Sequence, residues 1–181
     1  MHMATKTRRW TRADLARLPD DGNRYEVLDG ELFVTPQVAK RHQRIAFLLM
    51  YVLEPWCAEH GVGYLVGPGA VVFGKNELQP DVQVIPGPEV QGDESWEECP
   101  PPILVVEVLS DSTARRDLGK KRDAYLRIDI PTYWIVDPKQ RRVLVWTPAS
   151  LEPTVVTDVL RWQPRSDLPP LEIPLGSFLR G

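Results

Sequence analysis

The stretch Pro102-Ile-Leu-Val-Val-Glu-Val-Leu-Ser110 decides how the rest of the chain is organised. Its apolar run is rich in β-branched residues, which is typical of a central strand buried on both faces of a sheet. Glu107 interrupts this run, and an ionised carboxylate removed from water needs a charged partner or a metal ion. An ordinary ion pair, emergence of the strand into solvent, or a functional site would each explain Glu107, and the strand alone does not decide among them.

Length and composition predict one globular domain spanning residues 1–181. The chain has 181 residues, 43% of them hydrophobic, and no shift in composition marks a second domain. Within this domain we expect residues 1–9 to be flexible and residues 86–102, which are rich in Gly, Pro and acidic residues, to form an exposed loop. The net charge of −3 provides no global attraction for nucleic acid, although local basic patches can still bind phosphates.

Cysteine usage and hydropathy predict a soluble cytoplasmic protein with no membrane partner. Cys57 and Cys99 are far apart in sequence and lack metal-ligand spacing, and two cysteines are too few for a disulfide scaffold. No apolar segment approaches the roughly 20 residues that a membrane-spanning helix needs.

The first third of the chain alternates helix and hairpin signals. A capped helix is predicted from Trp10 to Leu18, and a β-hairpin from Arg24 to Val34 around the turn Asp29-Gly30. A wide apolar stripe predicts a long helix from Val38 to about His60. Pro55 lies within this stripe, so we expect the helix to end or kink there.

Strand signals follow on both sides of the predicted loop. Residues 64–66 and 70–73 are predicted to pair as a hairpin, and an alternating strand is predicted over 81–85, with Asp81 at its start. After the central strand we expect a helix over 113–127. The remaining strands are predicted at 132–136, 143–146 and, along an edge, 155–160, with 173–179 packed on the body. The pattern indicates a mixed α/β (α+β) fold with hairpins.

Three residues of this pattern form a chemically meaningful set. Asp81 and Glu107 lie on neighbouring predicted strands, and Lys121 lies on the helix that follows. Two carboxylates provide the oxygen ligands that Mg²⁺ prefers, together with water and substrate phosphate oxygens. A nearby ammonium can orient the attacking water and offset charge that develops on phosphorus. Such a set is suited to phosphodiester hydrolysis.

The order of these residues resembles the PD-(D/E)XK nuclease superfamily, whose core is a mixed sheet flanked by helices. The chain more closely resembles the Uma2 family of restriction-endonuclease-like bacterial proteins over roughly Trp10 to Pro148. Five segments carry the resemblance: RYEVLDGEL (24–32), QPDVQVI (79–85), PPILVVEVLSDST (101–113), KKRDAYL (120–126) and YWIVDP (133–138). The resemblance implies a restriction-endonuclease-like core and metal-dependent cleavage of nucleic acid.

Matched position by position, the resemblance implies that Asp81 and Glu107 are metal ligands, with the backbone carbonyl of Val108 as a third. The implied cofactor is Mg²⁺ or Mn²⁺. Glu26 matches an additional acidic residue that such nucleases place near the metal. Taken by itself, however, Glu26 is more simply explained as a solvent-facing strand residue.

The chain departs from the superfamily pattern at the lysine. That lysine usually follows the second acid by two residues, where this chain has Leu109, and in the Uma2 family it lies on the next helix instead, at Lys121 here. Lys121 shares a predicted helix face with Leu118 and Tyr125 and should point toward the sheet, whereas Lys120 points about 100° away. An ion pair between Lys121 and Glu107 with no chemical role is the alternative explanation.

Basic residues on two helices are the candidates for contact with substrate. They are His42, Lys40, Arg44, Arg115, Arg116 and Lys120. A capping or core-edge position is the simpler explanation for His42, because the sequence fixes no partner for it. No recognition helix, zinc-finger spacing or aromatic row indicates base-specific contacts.

The sequence therefore predicts a Mg²⁺-dependent endonuclease that cleaves DNA, and the superfamily resemblance implies a homodimer. Leu109 and the acidic net charge leave an alternative open: a catalytically weak or inactive nuclease-fold protein that acts as a binding or regulatory subunit. A hydrolase of small phosphate esters, gated by the acidic loop, is a third possibility.

Overall fold

The computed structural model describes residues 9–88, 95–111 and 113–179. The helices are α1 (Arg12–Leu15), α2 (Lys40–His60), α3 (Ala114–Arg116) and α4 (Arg122–Arg127). The strands are β1 (Arg24–Leu28), β2 (Glu31–Thr35), β3 (Gly63–Val66), β4 (Val71–Phe73), β5 (Asn76–Leu78), β6 (Val82–Pro86), β7 (Leu104–Val108), β8 (Thr132–Asp137), β9 (Arg142–Trp146), β10 (Thr154–Val156), β11 (Val159–Trp162) and β12 (Leu171–Pro174). Most of the predicted flexible terminus and the middle of the predicted 86–102 loop fall outside the described residues.

The central strand lies inside a six-stranded sheet of order β10-β9-β8-β7-β6-β3. All five residues of β7 are buried, as its apolar sequence predicts. β7 runs parallel to β8, and its other neighbour, β6, is antiparallel. A second, four-stranded antiparallel sheet has the order β2-β1-β5-β4, and β11 pairs with β12. The predicted mixed α+β fold is confirmed.

Two apolar cores cover the two faces of the six-stranded sheet. On one face, Val106 of β7 and Trp134 of β8 pack against α2 and against the β11-β12 hairpin. On the other, Val105 and Tyr133 pack against α4 and the four-stranded sheet. Since strand side chains alternate between faces, Glu107 projects on the same side as Val105, into the space beneath the four-stranded sheet and α4.

The long helix α2 extends through Pro55 to His60, so the predicted break at Pro55 is wrong. Pro55 lies on the exposed side of the helix. Water can therefore satisfy the carbonyl that the missing N–H would have bonded, and the buried apolar stripe continues past it. The helix ends at Gly61, which adopts the left-handed conformation with φ of 57°.

One predicted hairpin is confirmed and the other is wrong. β1 and β2 pair around Asp29 and Gly30, both with positive φ, as a tight Asp-Gly turn requires. β3 and β4 do not pair with each other: β3 joins β6 in the larger sheet, and β4 pairs with β5 in the smaller one. The Gly-Pro-Gly segment at 67–69 thus connects two sheets, and strand β5 was not predicted.

The predicted helix over 113–127 is interrupted by a π-helical turn, Asp117–Lys121, between α3 and α4. The wider turn shifts the helical phase. As a result Lys121 and Tyr125 are fully buried as predicted, while Leu118, predicted to face the sheet with them, is 37% exposed.

The C-terminal part packs on the sheet as two strands and a 3₁₀ turn, Leu175–Ser177. The predicted edge strand 155–160 divides into β10, which extends the six-stranded sheet, and β11. Trp162 of β11 contacts Trp134, with ring centroids 6.1 Å apart. Within the described residues, no helix has the length and apolar character needed to span a membrane.

Candidate active site

Two buried carboxylates share one buried ammonium at the centre of the molecule. Glu107, 1% exposed, accepts a hydrogen bond from Lys121, whose Nζ lies 2.7 Å from Oε1. The same Nζ lies 2.6 Å from Oε1 of Glu26, which is also fully buried. Tyr125 donates to Oε1 of Glu107 over 3.3 Å. The structure thus brings three of the predicted site residues into direct contact.

The small sheet carries Glu26 into this cluster. On β1, Oε1 of Glu26 accepts the backbone N–H of Gln79 over 2.8 Å, which ties β1 to the segment leading into β6. Arg116 lies 3.2 Å from the second oxygen, Oε2. A solvent-facing position for Glu26 is therefore excluded, because the four-stranded sheet packs over this face of the larger one.

The π-helical turn places Asp117 beside Lys121. Oδ1 of Asp117 lies 4.0 Å from Lys121 Nζ, and Asp117 is 1% exposed. Asp117 was not among the predicted site residues. Its spacing from Lys121 was nevertheless a usable signal, because residues four apart share a helix face. The π-helical turn itself has no comparable signature in the sequence.

Asp81 is held by three donors at the start of β6. Arg24 Nη1 lies 2.9 Å from Oδ1. His42 Nε2 lies 3.0 Å from Oδ2, and the backbone N–H of Val108 donates to the same oxygen over 2.8 Å. Arg24 and His42 were not predicted as partners of Asp81, although Arg24 precedes Glu26 by two residues and so shares its strand face. Val108, predicted to contribute its carbonyl, contacts the site through its N–H.

Backbone contacts place Asp81 beside the end of β7 that carries Glu107. Val82 pairs with Val106, and Asp81 immediately precedes Val82. The backbone N–H of Asp81 donates to the carbonyl of Val106 over 3.1 Å, and the Asp81 carboxylate accepts the N–H of Val108. Asp81 is close enough to Glu107 for its negative charge to raise the pKa of Glu107.

The two carboxylates have opposite pKa shifts. Burial raises the pKa of Glu107 to about 8, and the neighbouring Asp117, Asp81 and Glu26 charges add to the rise, with Lys121 opposing it. Burial acts on Asp81 in the same direction, but the His42 hydrogen bond, the Arg24 charge and the Val108 N–H lower its pKa to about 2. Burial also opposes ionisation of Glu26, yet the charges of Lys121, Arg116 and Arg24 lower its pKa.

The predicted substrate-contact residues divide into outward and inward groups. Lys40, Arg44, Arg115 and Lys120 are exposed. Arg116 and His42 are turned inward against carboxylates, with 11% and 8% of their side chains exposed.

A cavity of about 200 Å³ gives access to Asp81. Its lining includes Arg24, His42 and Asp81 together with Thr35 and Gln43. Asp81 forms part of the wall and can be reached from outside, whereas Glu26, Glu107 and Lys121 do not line this cavity.

The site fits a hard divalent cation in charge and in ligand type. The site contains four buried carboxylates (Glu26, Asp81, Glu107 and Asp117) and three cations that pair with them (Arg24, Arg116 and Lys121). If His42 is not counted, the carboxylates exceed the cations by one. The raised pKa of Glu107 indicates the same shortage of positive charge, because a carboxylate that lacks a cation nearby binds a proton more tightly. Among the described residues no three ligating side chains already surround one point. Mg²⁺ commonly uses one or two carboxylates and fills its other positions with water and phosphate.

Comparisons with known proteins agree with this architecture. A family model described as "Uma2: Putative restriction endonuclease" matches residues 12–176. A solved structure described as a putative nuclease belonging to DUF820, from Anabaena variabilis, aligns with a TM-score of 0.75 at 17% identity, over 94% of this chain and 97% of that chain. No match was found among curated proteins. The chain has a nuclease-like fold and belongs to the Uma2 family of putative restriction endonucleases.

Proposed function

We propose that this protein is a Mg²⁺-dependent or Mn²⁺-dependent endonuclease that hydrolyses phosphodiester bonds in DNA. The main support is the convergence of Glu107, Glu26 and Lys121 at hydrogen-bond distance, with Asp81 bound to the backbone N–H of Val108, the residue after Glu107. Family membership supports the same reaction class.

In this proposal Asp81 and Glu107 hold the divalent cation, with the backbone of Val108 beside them. When bound, such a cation polarises a phosphoryl oxygen and makes water a stronger nucleophile. Both oxygens of Asp81 already accept hydrogen bonds, from Arg24 on one side and from His42 and Val108 on the other. Oδ1, which accepts from Arg24 alone, keeps a lone pair that could bind a cation.

Lys121 supplies the positive charge on the protein side. The charges of Glu107, Glu26 and Asp117 outweigh the effect of burial and raise its pKa, so its ammonium stays protonated. A fixed ammonium beside the reacting phosphate offsets the negative charge that develops there. Glu26 acts through Lys121 as a positioning residue, because its Oε1 accepts from the same Nζ. Leu109 cannot provide this charge, and in our proposal Lys121 takes that role from the helix.

DNA contact is proposed through the exposed basic residues Lys40, Arg44, Arg115 and Lys120, which can meet phosphates on either side of the site. Cleavage of both strands of a duplex calls for two sites, so we propose that the enzyme acts as a homodimer.

Plasmid nicking tests the proposal with isosteric variants. We expect wild-type protein to convert supercoiled plasmid to nicked or linear forms with Mg²⁺ or Mn²⁺ and to be inactive in EDTA. Asp81→Asn, Glu107→Gln and Lys121→Met should each lower the rate by about 100-fold or more, since each removes a charge that acts on the reacting phosphate.

Matched surface variants separate the site from general effects. Asp167→Asn, Glu172→Gln and Lys75→Met make the same chemical changes at exposed positions and should cleave like wild type. Equal activity in all six variants would show that cleavage comes from a contaminant or from another site, and would overturn the proposal.

A catalytically inactive binding protein is the second candidate. The observation that favours it is that Asp81, Glu26 and Glu107 each already contact a cationic side chain. Isothermal titration with Mn²⁺ distinguishes the two candidates when it is combined with the nicking assay. Metal binding that depends on Asp81, with no cleavage of duplex or single-stranded DNA or RNA, would support the binding protein.

A further inference from the structure

A second cavity lies beyond the carboxyl ends of the parallel strands β7 and β8. It has a volume of about 420 Å³ and is lined by Leu109 and Asp137, which follow or end those strands, and by Leu118 from the π-helical turn. The backbone N–H of Leu109 donates to Val136 over 2.8 Å, which closes the two strand ends together. In sheets with parallel strands, crevices at the carboxyl ends are the usual place for ligands.

This cavity adjoins the candidate active site through His42. His42 lines both this cavity and the one that exposes Asp81. It is 7% exposed, its Nε2 contacts Asp81, and its Nδ1 is buried without a hydrogen-bond partner among the described residues. Val108, whose N–H binds Asp81, immediately precedes Leu109 in the cavity wall. A chain bound at Asp81 can therefore continue into this space.

Apolar and charged side chains both line the cavity. Leu109 and Leu118 form its apolar part, here called the floor, and Leu118 is 37% exposed because the π-helical turn moves it off the buried face. The charged lining consists of three cations, Arg41, Lys139 and Arg142, and two carboxylates, Asp111 and Asp137. The Asp137 carboxylate accepts hydrogen bonds from the backbone N–H groups of Lys139 and Gln140 in its own turn, and its Oδ2 lies 3.4 Å from Arg142 Nε. Lys139 pairs with Asp111, and both are largely exposed.

We propose that this cavity binds one unpaired nucleotide of the substrate strand next to the bond that is cut. The apolar floor takes the base. Arg41 takes the phosphate, because it donates to the carbonyl of Pro138, whereas Lys139 and Arg142 contact carboxylates. The volume lies within the roughly 300–1,000 Å³ of small-molecule sites. A base held there cannot stay paired in a duplex. The inference rests on the proposed function and adds to it a preference for single-stranded or frayed DNA.

Fluorescence anisotropy in EDTA tests this inference without cleavage. The probe is a short labelled single-stranded oligodeoxynucleotide, compared with its duplex and with an RNA strand of the same sequence. Leu118→Asp should weaken single-strand binding about tenfold by placing a charge in the floor, and Arg41→Ala should weaken it about fivefold and lower the salt slope by about one. Val155→Asp and Arg161→Ala, matched changes at exposed positions on β10 and β11, should stay within about twofold of wild type.

Competition distinguishes a nucleotide from a bare phosphate. A deoxynucleoside 5′-monophosphate should displace the probe from wild type and should compete less well with Leu118→Asp. Equal competition by inorganic phosphate, or wild-type affinity in both cavity variants, would overturn the inference, as would tighter binding of the duplex than of the single strand. Tighter binding of the RNA strand than of the DNA strand would overturn the choice of DNA.

Failure of this inference can be told apart from failure of the proposed function. If Glu107→Gln abolishes nicking while Leu118→Asp and Arg41→Ala bind the strand like wild type, the cavity proposal fails alone. If the cavity variants lose strand binding but no metal supports cleavage, the nuclease proposal fails and the nucleotide site stands.

Discussion

Asp81 immediately precedes β6 and Glu107 lies near the end of the neighbouring strand β7, yet their surroundings shift their pKa values in opposite directions. Both are buried, with 6% and 1% exposure. Asp81 receives three donors of its own, and its pKa falls to about 2. Glu107 shares one ammonium with Glu26 and stands near Asp117, and its pKa rises to about 8. Burial raises the pKa of both carboxylates, and the charges and donors around each one decide the direction of the net shift.

Opposite shifts in one site separate the roles of the two acids. Asp81 is ionised at every physiological pH and can serve as a permanent anion. Glu107 loses its proton near neutral pH and above, so its availability as a ligand depends on pH. Such paired groups with divergent pKa values are typical of active sites. Substitutions within and around the pair, combined with changes of pH, test this difference.

Removing the ammonium of Lys121, which Glu26 and Glu107 share, should cause the largest loss of stability. Lys121→Met leaves Glu26 and Glu107 buried without their common cation, and we expect a loss of about 3–5 kcal/mol in the free energy of unfolding at pH 8. Urea denaturation measures this. The loss should shrink at lower pH, because protonation relieves the unpaired carboxylates. Lys75→Met, at an exposed position, should change stability by less than about 0.5 kcal/mol.

The second largest effect is expected from Glu107→Gln, which should change how the free energy of unfolding depends on pH. Glu107 binds its proton more tightly in the folded chain than at its ordinary pKa of 4.5, so its contribution to stability falls as pH rises from 4.5 to 8. Glu107→Gln removes this contribution. The difference in unfolding free energy between variant and wild type should therefore change by up to about 1.4 kcal/mol per pH unit in that window.

A difference that stays constant between pH 5 and 8 would show that Glu107 is ionised throughout and that the contrast with Asp81 is wrong. Under the proposed function, the nicking rate of wild type should also rise with pH through about 8, because ligation requires the ionised carboxylate.

Asp81→Asn should have a smaller effect with the opposite pH dependence. The folded pKa of about 2 lies below the ordinary 3.8, so Asp81 stabilises the fold above 3.8 and loses this effect as pH falls through about 2. We expect the variant to lose about 2 kcal/mol at pH 7. Chemical denaturation from pH 7 to 2 should show the difference disappearing, and a loss that persists at pH 2 would point to packing instead of charge.

Exposed cations should have the smallest effect on stability. Lys120 pairs with Glu31, and both side chains are 57% exposed. Lys120→Met should therefore change the free energy of unfolding by less than about 0.5 kcal/mol, in contrast with its buried neighbour Lys121. If Lys120 contacts a phosphate as proposed, the salt slope of DNA binding should fall by about one. An unchanged slope would remove Lys120 from the DNA surface.

Local signals in the sequence were sufficient for much of the fold. The Asp29-Gly30 turn sets φ > 0 at two adjacent positions, which few other residue pairs tolerate, and it forms the predicted hairpin. The apolar run of β7 is buried as predicted, since that composition is stable only between two covered faces. Strand β6 keeps the predicted alternation, with Val82 and Val84 in the core against α2.

Errors arose where a short segment could pair in more than one way. β3 and β4 carry hairpin signals, but they pair with β6 and β5 in separate sheets. Pro55 is a helix breaker in isolation, yet packing of Leu53 and Cys57 on either side keeps α2 continuous. Leu118 faces outward because a π-helical turn changes the phase of its helix. Helix and strand propensities do not include these contributions from tertiary packing.

The order of residues along the chain was enough to predict the central strand and to select the charged groups of the candidate site. Glu107 stood out because burial of charge demands partners, and the ligand chemistry of Mg²⁺ together with the family resemblance selected Asp81 and Lys121. The identity of those partners depended on the folded chain. Two carboxylates share Lys121, and Arg24 and His42 hold Asp81, because the small sheet and α2 pack on opposite faces of the larger sheet and both reach this end of β7. Ionisation depends on these distances, and distances between segments far apart in sequence are fixed only by packing.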